Sequence, residues 1–209
     1  MTVILKNLCV TGPLVLPAEV SFYPVRTLIL GPSDTGKSHI YDCLWFLLGG
    51  TTALEQFPES SGYDSLELLF TAGEHEYMVR KAMAGGAATV FVRSNEFGVG
   101  KDEPSSWERV DQDLSQLLVK LSGAEGKLVL HNRSKKGAIT GDDLRHWALL
   151  SQTSMIAKEP ASGPKRYAPK RIASLSLFLS GLDDSAVETH LSTSEKDQIA
   201  GQLRRWRSI

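Results

Sequence analysis

The sequence predicts an α/β fold: a short strand leads through a glycine-containing loop into a helix, and an antiparallel β-meander and a helical appendage follow. Three observations support this prediction. The apolar run Thr27–Leu30 ends directly at the first glycine of the motif GPSDTGKS. The next stretch, Lys37–Leu48, contains neither Gly nor Pro and is rich in apolar residues, as expected for a helix. Beyond it lie three short β-like segments joined by turn sequences.

Composition places the chain among ordinary globular proteins. Its 209 residues suffice for one core, and we expect one domain with an appendage. Hydrophobic residues make up 42%, charged residues 22%, and the formal net charge is -1, so no overall basicity favours nucleic acid. Two cysteines exclude a disulfide framework. Without a recognisable signal peptide or a membrane-length apolar run, we expect a cytoplasmic protein that does not enter a membrane.

The first fifty residues alternate short apolar pieces with Gly and Pro. We predict strands at 2–5, 14–16, 20–23 and 27–30. The last of these carries no charge, which is typical of a strand that is buried on both faces of a sheet. The helix that follows is expected to be largely buried, because apolar residues occupy most of its circumference. Gly49 and Gly50 should end it.

The middle of the chain predicts a meander and a helix. Three strands, at 65–70, 76–80 and 88–93, are separated by turn sequences short enough for antiparallel pairing. A Gly- and Pro-containing loop is expected over 96–106. The apolar spacing that follows predicts an amphipathic helix over 107–121.

The last third mixes a hairpin, helices and a basic segment. A strand at 127–131 should return at 138–140, and Thr140 with Asp143 fits a capping box at the start of a helix. Residues 158–171 hold three prolines and five Lys or Arg, so we predict a mobile basic loop. The final segment, 184–209, predicts a polar helix.

The motif Gly31–Ser38 matches the phosphate-binding pattern G-x-x-x-x-G-K-[ST] at every fixed position. Polyphosphate recognition needs several inward N–H donors, and glycine allows the tight bend that presents them. Lys37 would bridge the β- and γ-phosphates, and the Ser38 hydroxyl would bind Mg²⁺. We therefore predict ATP and Mg²⁺ as cofactors. The predicted nucleotide-binding residues are Gly31, Ser33, Asp34, Thr35, Gly36, Lys37, Ser38 and His39.

Hydrolysis requires a further acidic residue at the end of a neighbouring strand. The one hydrophobic run that ends in two acids is 175–184, but Gly181 interrupts it and the acids read as a helix start. One alternative is nevertheless a self-contained P-loop NTPase or kinase, in which Asp183 or Asp184 completes the magnesium site.

The stretch GPSDTGKSHIYDCLWFLLGG resembles the beginning of the SMC and SbcC-like double-strand-break-repair ATPases of the ABC superfamily, whose pattern is close to GPNGSGKSNIIDAIRWVLG. Ile40, Asp42, Leu48 and Gly49 align without gaps, and Phe46 replaces the Trp of the pattern. The segment LLSQTSMI resembles the family's Q-loop. This resemblance implies the N-terminal lobe of an ABC/SMC-like head, with Gln152 as a second Mg²⁺ ligand.

On this basis we divide the chain into three parts: residues 1–100 as a β-rich nucleotide-binding subdomain, residues 101–183 as a helical Q-loop subdomain, and residues 184–209 as the start of a coiled-coil-like helix. The chain departs from the family pattern in two ways. Ser33-Asp34 replaces Asn-Gly and places a carboxylate beside the phosphates, while His39 replaces an Asn. In addition, no convincing signature or Walker B motif is visible, since LSGAE at 121–125 precedes the Q-loop candidate.

The resemblance implies an ATP-binding half of a head that acts in DNA maintenance, repair or defence within a larger complex. Hydrolysis would require a C-terminal lobe with the missing motifs, and the family pairs two heads. DNA is a possible partner through local basic residues: Arg133, Lys135, Lys136, Lys165, Arg166, Lys170 and Arg171. A further alternative is a degenerate regulatory nucleotide sensor whose site is compromised by Asp34.

Overall fold

The computed structural model describes residues 2–94, 106–158, 160–190 and 194–199. The chain divides into two compact units. The first comprises Met1–Glu125 and Thr140–Ser151, and the second comprises Gly126–Ile139 and Gln152–Ile209. Both helices and antiparallel strands are present, so the predicted mixed α/β character is confirmed. The predicted loop over 96–106 lies almost entirely outside the described residues.

The first unit is built on a six-stranded sheet in the order β2-β1-β3-β4-β5-β6, with every neighbouring pair antiparallel. The predicted meander corresponds to its central strands and is confirmed. The strands are β1 (Val3–Gly12), β2 (Val15–Ser21), β3 (Ser65–Ala72), β4 (His75–Ala82), β5 (Thr89–Ser94) and β6 (Glu108–Val110).

Helix α1 (Lys37–Leu47) packs against β3 and β4 and begins directly after the glycine-containing loop. Its second half supplies Cys43, Leu44, Phe46 and Leu47 to the core of the unit. The start of α1 is exposed or half-buried, so burial is confined to one end and the prediction of a largely buried helix holds only there. A short 3-10 turn, Pro58–Ser60, follows.

The segment Thr27–Leu30 is not a strand, so that prediction is wrong. Leu28 and Leu30 are 78% and 80% exposed. An uncharged apolar run becomes a buried strand only where other strands and helices cover it, and none of the described residues does so. The sheet that the described residues form is wholly antiparallel and does not include this segment.

Two eight-residue helices complete the first unit, α2 (Leu114–Leu121) and α3 (Gly141–Ala148), and they pack against each other. The prediction of a helix from residue 107 is wrong, because residues 108–110 pair with β5 instead. The Asp113 carboxylate accepts hydrogen bonds from Ser115 N and Gln116 N, and this N-cap starts α2. At the start of α3, Thr140 N donates to the Asp143 carboxylate over 2.9 Å, as the capping-box prediction requires.

The second unit contains a hairpin of β7 (Leu128–Asn132) and β8 (Lys135–Ala138), and the helices α4 (Gln152–Ile156) and α5 (Ala168–Ser180). The hairpin is as predicted, but its return strand covers 135–138 and not 138–140, because the turn after Asn132 is shorter than expected. Helix α5 packs on β7, where Val129, Ser174 and Leu177 are buried.

The second unit corrects three predictions. Helix α5 begins at Ala168, so the end of the predicted basic loop is helical. Residues 175–180 also belong to it, which rules out a Walker B strand there. Finally, residues 184–190 are not helical, whereas 194–199 are, so the predicted C-terminal helix is confirmed only over that short stretch of the described residues.

Candidate functional site

The candidate site is the exposed loop of residues 31–36, together with the first turn of α1. Gly36 is the N-cap of the helix and adopts the left-handed conformation, with φ 76° and ψ 8°. Its carbonyl accepts the hydrogen bond from Ile40 N at 3.2 Å, which closes the first helical turn. Glycine adopts this conformation without the cost that a Cβ would add, which explains the second fixed glycine of the motif.

Lys37 folds back over the loop. Its ammonium group lies 2.9 Å from the Gly31 carbonyl oxygen and 3.2 Å from the Thr35 hydroxyl, and it also donates to the Pro32 carbonyl. The Thr35 hydroxyl donates to the same Pro32 carbonyl over 2.9 Å. These contacts hold one full positive charge at the start of α1.

The backbone N–H donors at the start of α1 are the second feature of the site. Within the described residues, no group accepts a hydrogen bond from the N–H groups of Gly36, Lys37 or Ser38. The first N–H groups of any helix lack intrahelical acceptors, and the helix dipole adds positive potential there. Free donors beside a lysine ammonium suit a phosphate group. The residues present therefore fit the polyphosphate that the motif predicts.

Asp34 has an unusual backbone conformation. At φ 61° it is the one non-glycine residue with positive φ among those described, and its side chain is exposed. Asp tolerates the left-handed region better than most residues, which accounts for its occurrence in the place of a glycine. Its carboxylate belongs to the same short loop as the free donors.

Ser38 and His39 differ in their exposure to solvent. Ser38 is exposed in the first turn of α1, so its hydroxyl is accessible to a bound ion. The ring of His39 is half-buried and packs edge-on against Phe57, with ring centroids 4.8 Å apart. This contact gives His39 a packing role, and a nucleotide contact of its ring stays a prediction.

Gln152 is the first residue of α4 and is exposed in the second unit. Its predicted role as a Mg²⁺ ligand is neither supported nor opposed by a contact within that unit. No group of three His, Cys, Asp or Glu side chains that could hold a metal ion occurs among the described residues.

Asp183 and Asp184 bind the backbone of β7. The Asp183 carboxylate accepts from Leu128 N at 3.1 Å, and the Asp184 carboxylate accepts from Leu130 N at 2.8 Å. The hydrogen bond from Leu128 N, helped by Ser185, lowers the pKa of Asp183. Both acids therefore satisfy donors on the strand, and the arrangement gives no support to the alternative in which one of them holds magnesium.

Sequence reasoning missed two cations at the other end of α1, Lys81 and Arg145. Lys81 Nζ donates to the Phe46 and Gly50 carbonyls, and Arg145 donates to the Leu48 carbonyl. The burial of Lys81 could have been predicted from the sequence. Tyr77 and Val79 alternate with it along β4, and the period of two places all three on the core side of the sheet.

Comparison with known proteins adds no assignment. No protein-family model matches the chain, and no curated protein has a similar sequence. In the part of the chain that the structure describes, no helix is long and apolar enough to cross a membrane.

Proposed function

We propose that the chain binds ATP with Mg²⁺ and is the N-terminal half of an SMC-like ATPase head. The observation that carries nucleotide binding is the exposed loop in which the Lys37 ammonium lies beside unpaired N–H donors at the start of α1. The complete G-x-x-x-x-G-K-[ST] motif leads into a helix, as this motif requires, whereas Thr27–Leu30 does not form the strand that should precede it.

The residues of the loop have distinct roles in this proposal. Lys37 exchanges its carbonyl acceptors for the β- and γ-phosphates, and the N–H groups of Gly36 and Lys37 orient the same phosphates. The Ser38 hydroxyl holds Mg²⁺, which neutralises charge on the phosphate oxygens when bound. Gln152 is the proposed second ligand, on the strength of the family resemblance alone.

The exposed segment that precedes the loop supports a composite site. Leu28, Ile29 and Leu30 form no strand and expose apolar surface, although they lead directly into the phosphate-binding loop. An unpaired apolar segment of this kind is suited to pairing with a strand from another polypeptide. We propose that a C-terminal lobe supplies that strand, together with the signature and Walker B motifs, and that a second head completes the active unit.

DNA maintenance, repair or defence is the proposed setting. The seven basic residues noted in the sequence all lie in the second unit. Several of them already have contacts: Lys136 donates to the Ser185 carbonyl, Arg171 donates to the Ser162 carbonyl, and Arg166 lies over the Tyr167 ring. Binding of duplex DNA that weakens steeply with added salt would support a phosphate-contacting surface in this unit, and the absence of such binding would remove DNA from the proposal.

The test of nucleotide binding is a titration with a fluorescent ATP analogue, with and without Mg²⁺. Lys37→Ala should abolish binding, because the one positive charge at the loop is lost, while the fold is kept since the Lys37 contacts are local to residues 31–35. Lys120→Ala, on the exposed side of α2, is the matched control and should bind normally. Undiminished binding by Lys37→Ala would refute the proposal.

The presence of Asp34 in the loop favours a second candidate function, a regulatory sensor with a weakened site. Its carboxylate stands in a loop that must accept a polyanion, and like charges at this range repel. Failure of the unmodified chain to bind ATP under either condition, together with normal folding, would favour this candidate over the ATPase half.

A further inference from the structure

A cavity of about 610 Å³ lies in the first unit, at the C-terminal end of α1. Its walls are the end of α1 with Gly49 and Gly50, the glycine-rich turn after β4, and the first residues of α2 and α3. The phosphate-binding loop is at the opposite end of α1. An eleven-residue helix is about 16 Å long, so the cavity and the loop are separate places on the same helix.

Lys81 lines this cavity and is 7% exposed. Its ammonium group lies 3.1 Å from the Phe46 carbonyl oxygen, 3.0 Å from the Gly50 carbonyl oxygen, and 3.7 Å from the centre of the Phe46 ring. Within the described residues, no carboxylate forms an ion pair with it. Burial, together with the charge of Arg145, lowers the pKa of Lys81, as expected for an ammonium group that lacks a counter-ion.

Arg145 is the second cation of the cavity wall and is 9% exposed. Its guanidinium donates to the Leu48 carbonyl over 3.1 Å and pairs with Asp142, while its Nε is buried without a hydrogen-bond partner. The side chain of Asp142 is 62% exposed, so water weakens this ion pair. Of the two carboxylates in the wall, Asp113 and Asp142, only the partly solvated Asp142 forms an ion pair within the described residues.

Three helix ends meet at the cavity: the N-termini of α2 and α3, and the C-terminus of α1, whose carbonyls accept hydrogen bonds from Lys81 and Arg145. Helices α2 and α3 both present their N-terminal residues to it, through Leu114 and Ser115 and through Gly141 and Asp142. The N-terminus of a helix carries about half a positive charge. The Asp113 carboxylate is occupied by the N–H groups of α2 and does not neutralise Lys81. The wall thus combines two buried cations and two positive helix ends with the negative C-terminal end of α1, to which both cations donate.

We propose that this cavity is a binding site for a small oxyanion, such as a phosphate or carboxylate group of a ligand, with Lys81 and Arg145 as its charged contacts. The anion supplies the counter-ion that Lys81 lacks and competes with Asp142 for Arg145. The site is independent of the proposed nucleotide site, because neither its residues nor its location overlap with the loop at 31–38.

The test uses the full chain with Lys37→Ala, so that phosphate cannot act through the nucleotide loop. Thermal unfolding is followed while inorganic phosphate or malonate replaces chloride at constant ionic strength. We expect a saturable rise in Tm with at least one of the two anions, and the stronger one identifies the preferred chemistry. Adding Lys81→Met should weaken binding at least tenfold, whereas Lys120→Met, a lysine outside the cavity, should leave it unchanged.

A second variant keeps the test decisive if Lys81→Met does not fold. Asp142→Asn removes the exposed carboxylate that competes for Arg145, and it should tighten anion binding about threefold or more without unfolding the chain. A Tm that responds to neither anion beyond the chloride control overturns the proposal. Equal affinities in the parent and in Asp142→Asn do so as well.

Discussion

The ammonium group of Lys37 lies 2.9 Å from the carbonyl oxygen of Gly31, so the loop closes on the first residue of the helix that follows it. The charge is thereby placed next to the N–H donors of α1 before any phosphate is present. A phosphate that enters needs only to replace neutral carbonyl acceptors by charged ones, and charge-assisted hydrogen bonds are the stronger kind. The geometry of the loop depends on the conformation of Gly36.

Gly36→Ala should impair nucleotide binding through the backbone alone. Gly36 has φ 76°, and a Cβ at this position would meet no atom within 4 Å, so the substitution costs only left-handed strain of about 1–2 kcal/mol. Relief of that strain turns the N–H groups away from the phosphates, and we expect at least tenfold weaker binding of the ATP analogue. Gly123→Ala is the matched control, since Gly123 has φ 73° and equally open space at the end of α2. Equal affinities of the two variants would contradict this role for Gly36.

Asp34→Asn should strengthen nucleotide binding. Asn tolerates the left-handed conformation of this position at least as well as Asp, so the loop is kept while one negative charge is removed. At a distance of several Å in a solvated loop, the lost repulsion amounts to about 1 kcal/mol, or roughly fivefold in affinity. The affinity for the ATP analogue at low and high salt measures it. An unchanged affinity at low salt would show that the Asp34 carboxylate does not act on the phosphates.

The elements that were predictable are those whose signal is local. The helix after the motif and the meander at 65–93 follow from periodicity and turn residues, and the start of α3 follows from Thr140 and Asp143. The beginning of α2 was missed because amphipathic spacing continues upstream of Asp113, where pairing with β5 decides the structure. The Thr27–Leu30 segment was missed because burial depends on neighbours, which its own sequence does not specify. For Lys81, alternation along β4 could have predicted burial but not its contacts, because the carbonyls that accept its hydrogen bonds lie more than thirty residues away in the sequence.

Cys43 should be inert to thiol reagents in the folded protein. Its thiol is 2% exposed, and burial raises its pKa to about 12 from the ordinary 9.0. At pH 8 about one molecule in ten thousand carries the thiolate. A Cys9→Ser variant, which leaves Cys43 as its one cysteine, should show no reactive thiol when folded and one after denaturation. Rapid reaction of the folded variant would contradict this prediction.

The raised pKa of Cys43 also makes the stability of the protein depend on pH in the alkaline range. Because the folded pKa of Cys43 lies above the unfolded value, the folded protein retains a proton that the unfolded chain releases. This contribution is fully present below pH 9 and is lost as pH rises from about 9 towards about 12. Urea unfolding across this range should therefore show a smaller alkaline loss in Cys43→Ala than in the parent, although Cys43→Ala is less stable at neutral pH.

Asp184→Ala should destabilise the second unit without changing nucleotide binding. Its carboxylate accepts the hydrogen bond from Leu130 N at 2.8 Å, and loss of the bond leaves a strand donor unpaired at a cost of about 1–2 kcal/mol. Glu188→Ala, an exposed acid of the same unit, is the control and should have little effect. Hydrogen exchange at Leu130 measures the local change. If Asp184→Ala instead abolished a turnover of ATP by the purified chain, the self-contained enzyme would become the better assignment.

Leu28→Lys combined with Leu30→Lys should reduce association of the protein without changing its stability. Both side chains are about four-fifths exposed, and surface substitutions usually change the free energy of unfolding by less than about 0.5 kcal/mol. The double variant should therefore unfold like the parent, and it should bind the ATP analogue at least as tightly, because the two added charges beside the loop are positive. It should also bind less of an apolar dye and scatter less light at high concentration, because the exposed segment carries contiguous apolar surface. Leu179→Lys, an equally exposed leucine on α5, is the control for a single apolar side chain. Marked destabilisation by the double variant would show that the segment is covered within the chain itself, and would remove the structural argument for a strand supplied by a C-terminal lobe.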